Sequence, residues 1–231
     1  MRKILTYDNT ETFINDEVGE SYHSFTGAVE EALKKYAEPC KIAVLAKTGK
    51  VKILDVCSGL GYNSAMAIDV ALEANPNCEI EVVCLEFDPE ILEKIQEVNP
   101  PIKFFKHYKK LKKNNSENSK HSENNLDFTE GNVTVKVILG DARETVKELQ
   151  DNHFDAVFFD PFSPKTAPDM WQTPFFKEMY RVMNDKAILA TFSCARMVRE
   201  NMAAADLMYD EGPTVSRRGP GTIATKWLSQ V

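Results

Sequence analysis

Lys52-Ile53-Leu54-Asp55-Val56-Cys57-Ser58-Gly59-Leu60-Gly61-Tyr62-Asn63-Ser64 is the stretch whose reading decides the fold. An apolar run ends at a glycine turn, and the turn opens a segment, 63–73, that reads as a helix stopped near Asn75-Pro76. Strand, glycine turn and helix in that order form the opening unit of a doubly wound sheet. Glycine lets a backbone turn tightly and approach a ligand without a Cβ clash. The helix start behind it offers free N–H groups. Asp55, Gly59, Gly61 and Asn63 are therefore candidate cofactor-binding residues. The alternative is a glycine turn that merely packs. A dinucleotide fingerprint would place a third glycine where Ser64 stands.

The alternation continues outward. Residues 80–85, 133–139, 155–159 and 187–192 read as strands, and 89–98, 141–149, 175–182 and 197–208 as helices. Residues 214–228 read as a closing hairpin around Gly219-Pro220-Gly221. Upstream, 1–24 read as a strand or hairpin and 26–47 as a helix capped by Thr26. The pattern predicts an α/β protein with a doubly wound, mostly parallel sheet. Residues 1–47 form an N-terminal extension and helix packing on the core, and 48–231 form one domain. Within it, residues 106–132 are polar, charged and low in complexity, and predict a solvated loop.

Bulk composition narrows the class. A chain of 231 residues with 43% hydrophobic and 27% charged residues suits one larger globular domain. No apolar run nears the roughly 20 residues of a membrane span, and the polar start argues against a signal peptide. The five cysteines are odd in number and lack a Cys-x-x-Cys, which points to a reducing, cytoplasmic setting with no metal site. The net charge is -7, yet residues 101–120 carry seven lysines against one acid. Lys109, Lys110, Lys112 and Lys113 are candidate contacts to an RNA backbone. A solvated insertion explains them as well.

Acids close three further strands. In open α/β sheets chemistry sits beyond the carboxyl ends of strands. Glu86 can accept both hydroxyls of a ribose, or simply cap a strand end. Asp141, followed by Ala142, can accept from an adenine amino group, or act as a helix N-cap. Asp160 follows the fourth strand, in Phe158-Phe159-Asp160-Pro161-Phe162-Ser163-Pro164, where two prolines forbid the strand to continue. Glu86, with Asp141 for the adenine, fits an adenosine ligand, of NAD or of S-adenosylmethionine.

The order resembles the class I S-adenosylmethionine-dependent methyltransferases, whose first motif is acid-x-Gly-x-Gly-x-Gly. Asp55 takes the acid position, Gly59 and Gly61 the last two glycines, and Cys57 the place of the first. Phe159-Asp160-Pro161-Phe162-Ser163-Pro164-Lys165-Thr166-Ala167-Pro168-Asp169-Met170-Trp171 resembles a stretch of the MnmC methyltransferase family. Ala190-Thr191-Phe192-Ser193, Val198-Arg199, and Glu20-Ser21-Tyr22-His23-Ser24 with Gly27-Ala28 resemble further segments of it. The resemblance covers nearly the whole chain except 106–132. It implies a Rossmann-like class I methyltransferase fold with a seven-stranded sheet and helices on both faces. It also implies S-adenosyl-L-methionine as cofactor and tRNA as partner. The reaction implied is methylation of the amine of 5-aminomethyl(-2-thio)uridine at the wobble position. The family's late basic segment corresponds to Arg217-Arg218-Gly219-Pro220-Gly221, poorer here in basic residues, so Arg217 and Arg218 are the tRNA contacts expected there. No flavin-dependent oxidase domain forms part of the match, and methyl transfer alone is expected.

An alkylamine has a pKa near 10, so the attacking amine must lose a proton. A carboxylic acid with a pKa of about 4 removes that proton poorly. Asp160 is therefore expected to act catalytically by holding the amine and stabilising its new charge. Tyr22 and His23 are candidates for the substrate mouth, His23 as a group that titrates near neutrality or as a structural histidine. Phe162 and Trp171 can stack on a flipped uracil or pack a helix start, and Lys165 can meet phosphate or stay solvated. Other readings stay open. One is a methyl- or aminopropyl-transferase for a small-molecule amine, another an NAD-binding oxidoreductase, and a third a non-catalytic adenosine-binding module.

Overall fold

The computed structural model describes residues 1–113, 125–215 and 219–227. Three short strands, β1 (Arg2–Leu5), β2 (Glu11–Asn15) and β3 (Glu20–Ser21), pair antiparallel as a small sheet. Helix α1 (Ala28–Glu31) follows and runs on without a break into a π-helical turn, Ala32–Ala37. The single helix expected over 26–47 is broken. Lys41, at φ 56°, sits in the left-handed region and starts a separate helix, α2 (Ile42–Ala46). Thr26 does not cap α1; Gly27 holds that position, where a Cβ would lie 2.8 Å from the Asp8 carboxylate.

The main sheet begins with β4 (Lys50–Val56), which leads through the glycine turn into α3 (Tyr62–Ala74). Then come β5 (Glu79–Glu86) and α4 (Pro89–Lys94), whose N-cap Asp88 accepts from the Glu90 N–H. Strands β6 (Lys112–Lys113), β7 (Leu126–Glu130) and β8 (Val133–Leu139) precede α5 (Ala142–Thr145). Strand β9 (Phe154–Phe159), α6 (Thr173–Val182), β10 (Met183–Thr191), α7 (Arg196–Ala203), β11 (Leu207–Thr214) and β12 (Pro220–Lys226) complete the order. Spatially the strands run β11-β12-β10-β9-β4-β5-β8-β7-β6. The five from β10 to β8 are parallel, and the outer strands pair antiparallel.

This is the α/β architecture the sequence predicts, with nine strands rather than seven among the described residues. The two additional strands, β6 and β7, come from the basic stretch expected to be a loop. Its lysines hide an apolar set. Phe104, Phe105 and Tyr108, in a 3₁₀ segment over Lys103–Lys110, are buried, and Phe128 of β7 packs on Phe104 and Tyr108. Asp69 of α3 caps that segment, accepting the N–H groups of Lys103 and Phe104 at 2.6 and 2.9 Å. At the other end α7 stops at Ala203, short of the expected 208. A turn with Asp206 at φ 60° then starts β11, so the closing hairpin begins at Leu207 and not at 214.

The central strands are buried on both faces, and alternate residues point to two cores. Ile53, Val82, Val135, Ala156 and Phe158 join one core with α1, α2 and α3. Leu54, Leu85, Ile138, Val157 and Phe159 join the other with α6 and α7. No helix among the described residues is long and apolar enough to cross a membrane.

Gly61 shows what the turn after β4 demands. At φ 78° it caps α3, and a Cβ there would sit 2.6 Å from the Tyr108 ring. Gly131, at φ 57°, has open space around it. Gly61→Ala should therefore lower the urea midpoint clearly more than Gly131→Ala, which carries only the backbone cost of roughly 1 kcal/mol. Equal losses would mean that Tyr108 does not depend on the bare Cα.

Candidate active site

The carboxyl ends of β4, β5, β8 and β9 meet at a cavity of about 1020 Å³. Its wall includes Cys57, Glu86, Asp141, Ala142, Asp160, Phe162 and, from the amino-terminal sheet, Glu20, Tyr22 and His23. Asp55, Gly59, Gly61 and Asn63 are not part of the wall. Asp55 and Asn63 are buried, and the bare Cα atoms of Gly59 and Gly61 seat Tyr22 and Tyr108. Cys57, in the place of the motif's first glycine, takes φ 61°. A left-handed non-glycine residue is uncommon and marks local strain. Burial, and then the carboxylates around it, keep its thiol protonated.

Glu86 organises the glycine turn. Its Oε2 accepts the Gly59 N–H at 2.7 Å, and its Oε1 accepts those of Phe87 and Asp88 at 2.8 and 2.9 Å. Burial raises its pKa, while those three donors favour the charged form. Asp141 caps α5 through the Arg143 N–H and forms a two-pronged pair with the Arg143 guanidinium, which holds its carboxyl below the usual range. Arg143 also reaches Asp169 at 2.9 Å, joining this strand end to the loop after β9.

Asp160 is gripped from two elements. Tyr36, on the π turn, donates its hydroxyl to Oδ1 at 2.5 Å, and Asn63 donates Nδ2 to Oδ2 at 2.8 Å. Burial, then the nearby Glu31 charge, push the Asp160 carboxyl well above its ordinary range against those two bonds. Tyr36 and Glu31 were not legible in the sequence as site residues, since Tyr36 reads there as one more apolar-face residue of a helix.

The amino-terminal sheet straps the cavity. Glu20 accepts the N–H and hydroxyl of Ser163 at 2.9 and 2.5 Å and the hydroxyl of Thr166. Tyr22 donates to Asp88 at 2.7 Å, and its ring lies 5.2 Å from that of Phe162.

Two expectations are corrected here. His23 lines the cavity but does not titrate near neutrality. It is buried, stacked on Tyr62 and bonded to Thr12, and burial lowers its pKa to about 3. Trp171 offers no face to a base. It is fully buried against Phe159 and Phe192, with its indole N–H on the Phe162 carbonyl. Lys165 is exposed, away from the wall. Of the basic stretch, Lys109 is bonded to Asn99 and Lys110 to Glu130, while Lys112 is exposed. The Lys113 side chain, Arg217 and Arg218 lie outside the described residues.

Comparison with known proteins gives this geometry its class. Residues 103–227 match a family model described as S-adenosyl-L-methionine-dependent methyltransferase, and residues 22–158 match a methyltransferase-domain model. The chain belongs to the S-adenosyl-L-methionine-dependent methyltransferases, and S-adenosylmethionine is its cofactor. Within that family it is MnmC-like. It superposes on the crystal structure of MnmC2 from Aquifex aeolicus with a TM-score of 0.81 and 28% identity, covering 97% of this chain and 70% of that one. It is 33% identical over 223 residues to an uncharacterized protein of Methanocaldococcus jannaschii, covering 96% of this chain and 59% of that protein. It is 35% identical over 110 residues, 46% of this chain, to the tRNA 5-methylaminomethyl-2-thiouridine biosynthesis bifunctional protein MnmC of Ralstonia nicotianae, and the match spans 17% of that protein.

Asp55 gives the site a pH dependence. It is wholly buried, and neither carboxylate oxygen has a partner at hydrogen-bond geometry. Burial pushes its carboxyl up to about 7, with the nearby Ser64 hydroxyl and amide opposing. The folded state thus holds a proton that the unfolded state, with a pKa near 4, has released. Stability from this group is present below about pH 4 and is lost as pH rises toward 7. In urea unfolding without cofactor, wild type should lose stability between pH 5.5 and 8, and Asp55→Asn should reduce that loss by about 2 kcal/mol. An unchanged difference between the two pH values would show that Asp55 is already ionised.

Proposed function

We propose that this chain transfers a methyl group from S-adenosylmethionine to the amine of 5-aminomethyluridine, or its 2-thio form, at the wobble position of tRNA. The observation that carries the reading is Asp160, a cavity-wall carboxylate at the end of β9 held by Tyr36 and Asn63. The name of the MnmC relatives, tRNA 5-methylaminomethyl-2-thiouridine biosynthesis protein, supports the choice of tRNA and of an aminomethyl group.

The cofactor fits the wall. Glu86 stands where ribose hydroxyls would be accepted, and the Asp141-Ala142 segment where adenine would lie. Asp55, Gly59, Gly61 and Asn63 support that wall from behind. When bound, the cofactor supplies a methyl group already activated as a sulfonium. The chain has to orient the amine, remove its proton and exclude water. Asp160 accepts N–H bonds at the oxygen lone pairs that Tyr36 and Asn63 leave open. Because burial raises its carboxyl, the mismatch with an amine of pKa near 10 narrows. Asp160 therefore takes the proton as well as aiming the nitrogen. Phe162 and the exposed Phe25, both on the cavity wall, supply the π faces for a flipped uracil that Trp171 does not. Lys112 and Lys165 meet phosphate, with Arg217 and Arg218 as further contacts. The enzyme acts in the cytoplasm, where tRNA is modified.

Purified protein given labelled S-adenosylmethionine should label tRNA that carries the aminomethyl group and not tRNA that lacks it. Asp160→Asn should lose at least about 100-fold in turnover with cofactor binding retained. Label in neither RNA, or full activity in the variant, would overturn the proposal.

A further inference from the structure

Glu31 lines the same cavity as Asp160, at the far end of a deformed helical turn. It is 7% exposed, accepts the Ser24 N–H at 2.9 Å, and lies 3.7 Å from the Nζ of the buried Lys35. The bond from the Glu38 N–H to the Leu33 carbonyl, 2.9 Å long, marks the π register. In an α-helix a residue five positions on lies roughly 140° around the axis. A π turn closes on the fifth residue, so Tyr36 comes to stand over Glu31 on one face. That face is turned on Asp160. Tyr36 is bonded to its Oδ1, and Glu31 is the strongest neighbouring charge acting on it. π turns recur at functional sites, and this one has an evident use.

Asp160 and Glu31 set two carboxyl groups on one cavity wall, with the Lys35 Nζ 3.7 Å from Glu31. A cation brought between two such carboxyls relieves their mutual repulsion. A primary ammonium ion carries one positive charge and three N–H donors.

We infer that Glu31 is a second acceptor-binding residue, and that with Asp160 it forms a two-carboxylate seat that takes the acceptor as a primary ammonium ion. This rests on the amine-methylation reading above. One N–H bond of the ammonium breaks and an O–H bond forms on Asp160, while the electron pair stays on nitrogen; that lone pair would then form the N–CH3 bond as the S–CH3 bond of the bound sulfonium breaks, its electrons leaving on sulfur as a neutral thioether. The product nitrogen is again cationic and remains paired with Glu31, and the Asp160 proton leaves to water at product release.

The test titrates the full chain with two nucleoside probes, cationic 5-aminomethyluridine and neutral 5-hydroxymethyluridine, and then measures methyl transfer to aminomethylated tRNA. Wild type should bind the cation about tenfold tighter or more. Glu31→Gln should keep cofactor affinity, lose most of that preference and raise KM by about tenfold with a smaller change in kcat. Glu31→Asp should restore part of the preference, and Asp160→Asn should retain part of it through Glu31. A Glu31→Gln protein with the wild-type preference, or a wild type with none, would overturn the inference. Should Glu31→Gln fail to fold, an Asp160→Asn protein with no remaining preference overturns it equally. A wild type that prefers the cation but methylates no tRNA would sink the RNA reading and leave the seat standing.

Discussion

The hydrogen bonds from Tyr36 and Asn63 to Asp160 are the constraint on which the site depends. They come from the π turn that follows α1 and from α3, on one face of the sheet, and they meet at the end of a strand from its middle. A buried carboxylate without such donors would be neutral or would disrupt the fold. With them it is oriented while its proton affinity stays high. The π turn of α1 belongs to the same constraint, because it sets where Tyr36 and Glu31 point.

The other strand ends are tied into this arrangement. Glu86 spends its carboxylate on the glycine turn, and Arg143 links Asp141 to Asp169 in the loop that follows Asp160. The amino-terminal sheet closes the circuit through Glu20 on Ser163 and Thr166 and through Tyr22 on Asp88. Burial works against the Glu20 carboxylate, yet its hydroxyl and amide donors hold its pKa below the usual range. The strap is thus charged and firmly bonded at neutral pH. It covers a glycine turn whose bare Cα atoms seat aromatic rings.

Much of this is legible in the sequence. Strand, turn and acid recur with a regular period, so the parallel core and Asp55, Glu86, Asp141 and Asp160 can be read by position alone. The rest is not, for physical reasons. The lysines around Phe104, Phe105 and Tyr108 mask an apolar set whose partner, Phe128, lies about twenty residues downstream. The reading of His23 and Trp171 as contact residues treats residue type as exposure, and both are buried by tertiary packing. Glu31 and Tyr36 sit in an ordinary helical pattern, and only the π register turns them toward Asp160. Local sequence cannot report a partner 124 residues away.

The pH dependence of kcat/KM for methyl transfer in wild type and Tyr36→Phe tests the central claim most directly. The Tyr36 hydroxyl favours the charged form of Asp160. Without it the Asp160 carboxyl should rise further, and the acid limb of the profile should move to higher pH with cofactor affinity unchanged. Superimposable profiles would contradict the account, because they would show that the carboxylate gripped by Tyr36 is not the group whose ionisation the reaction requires.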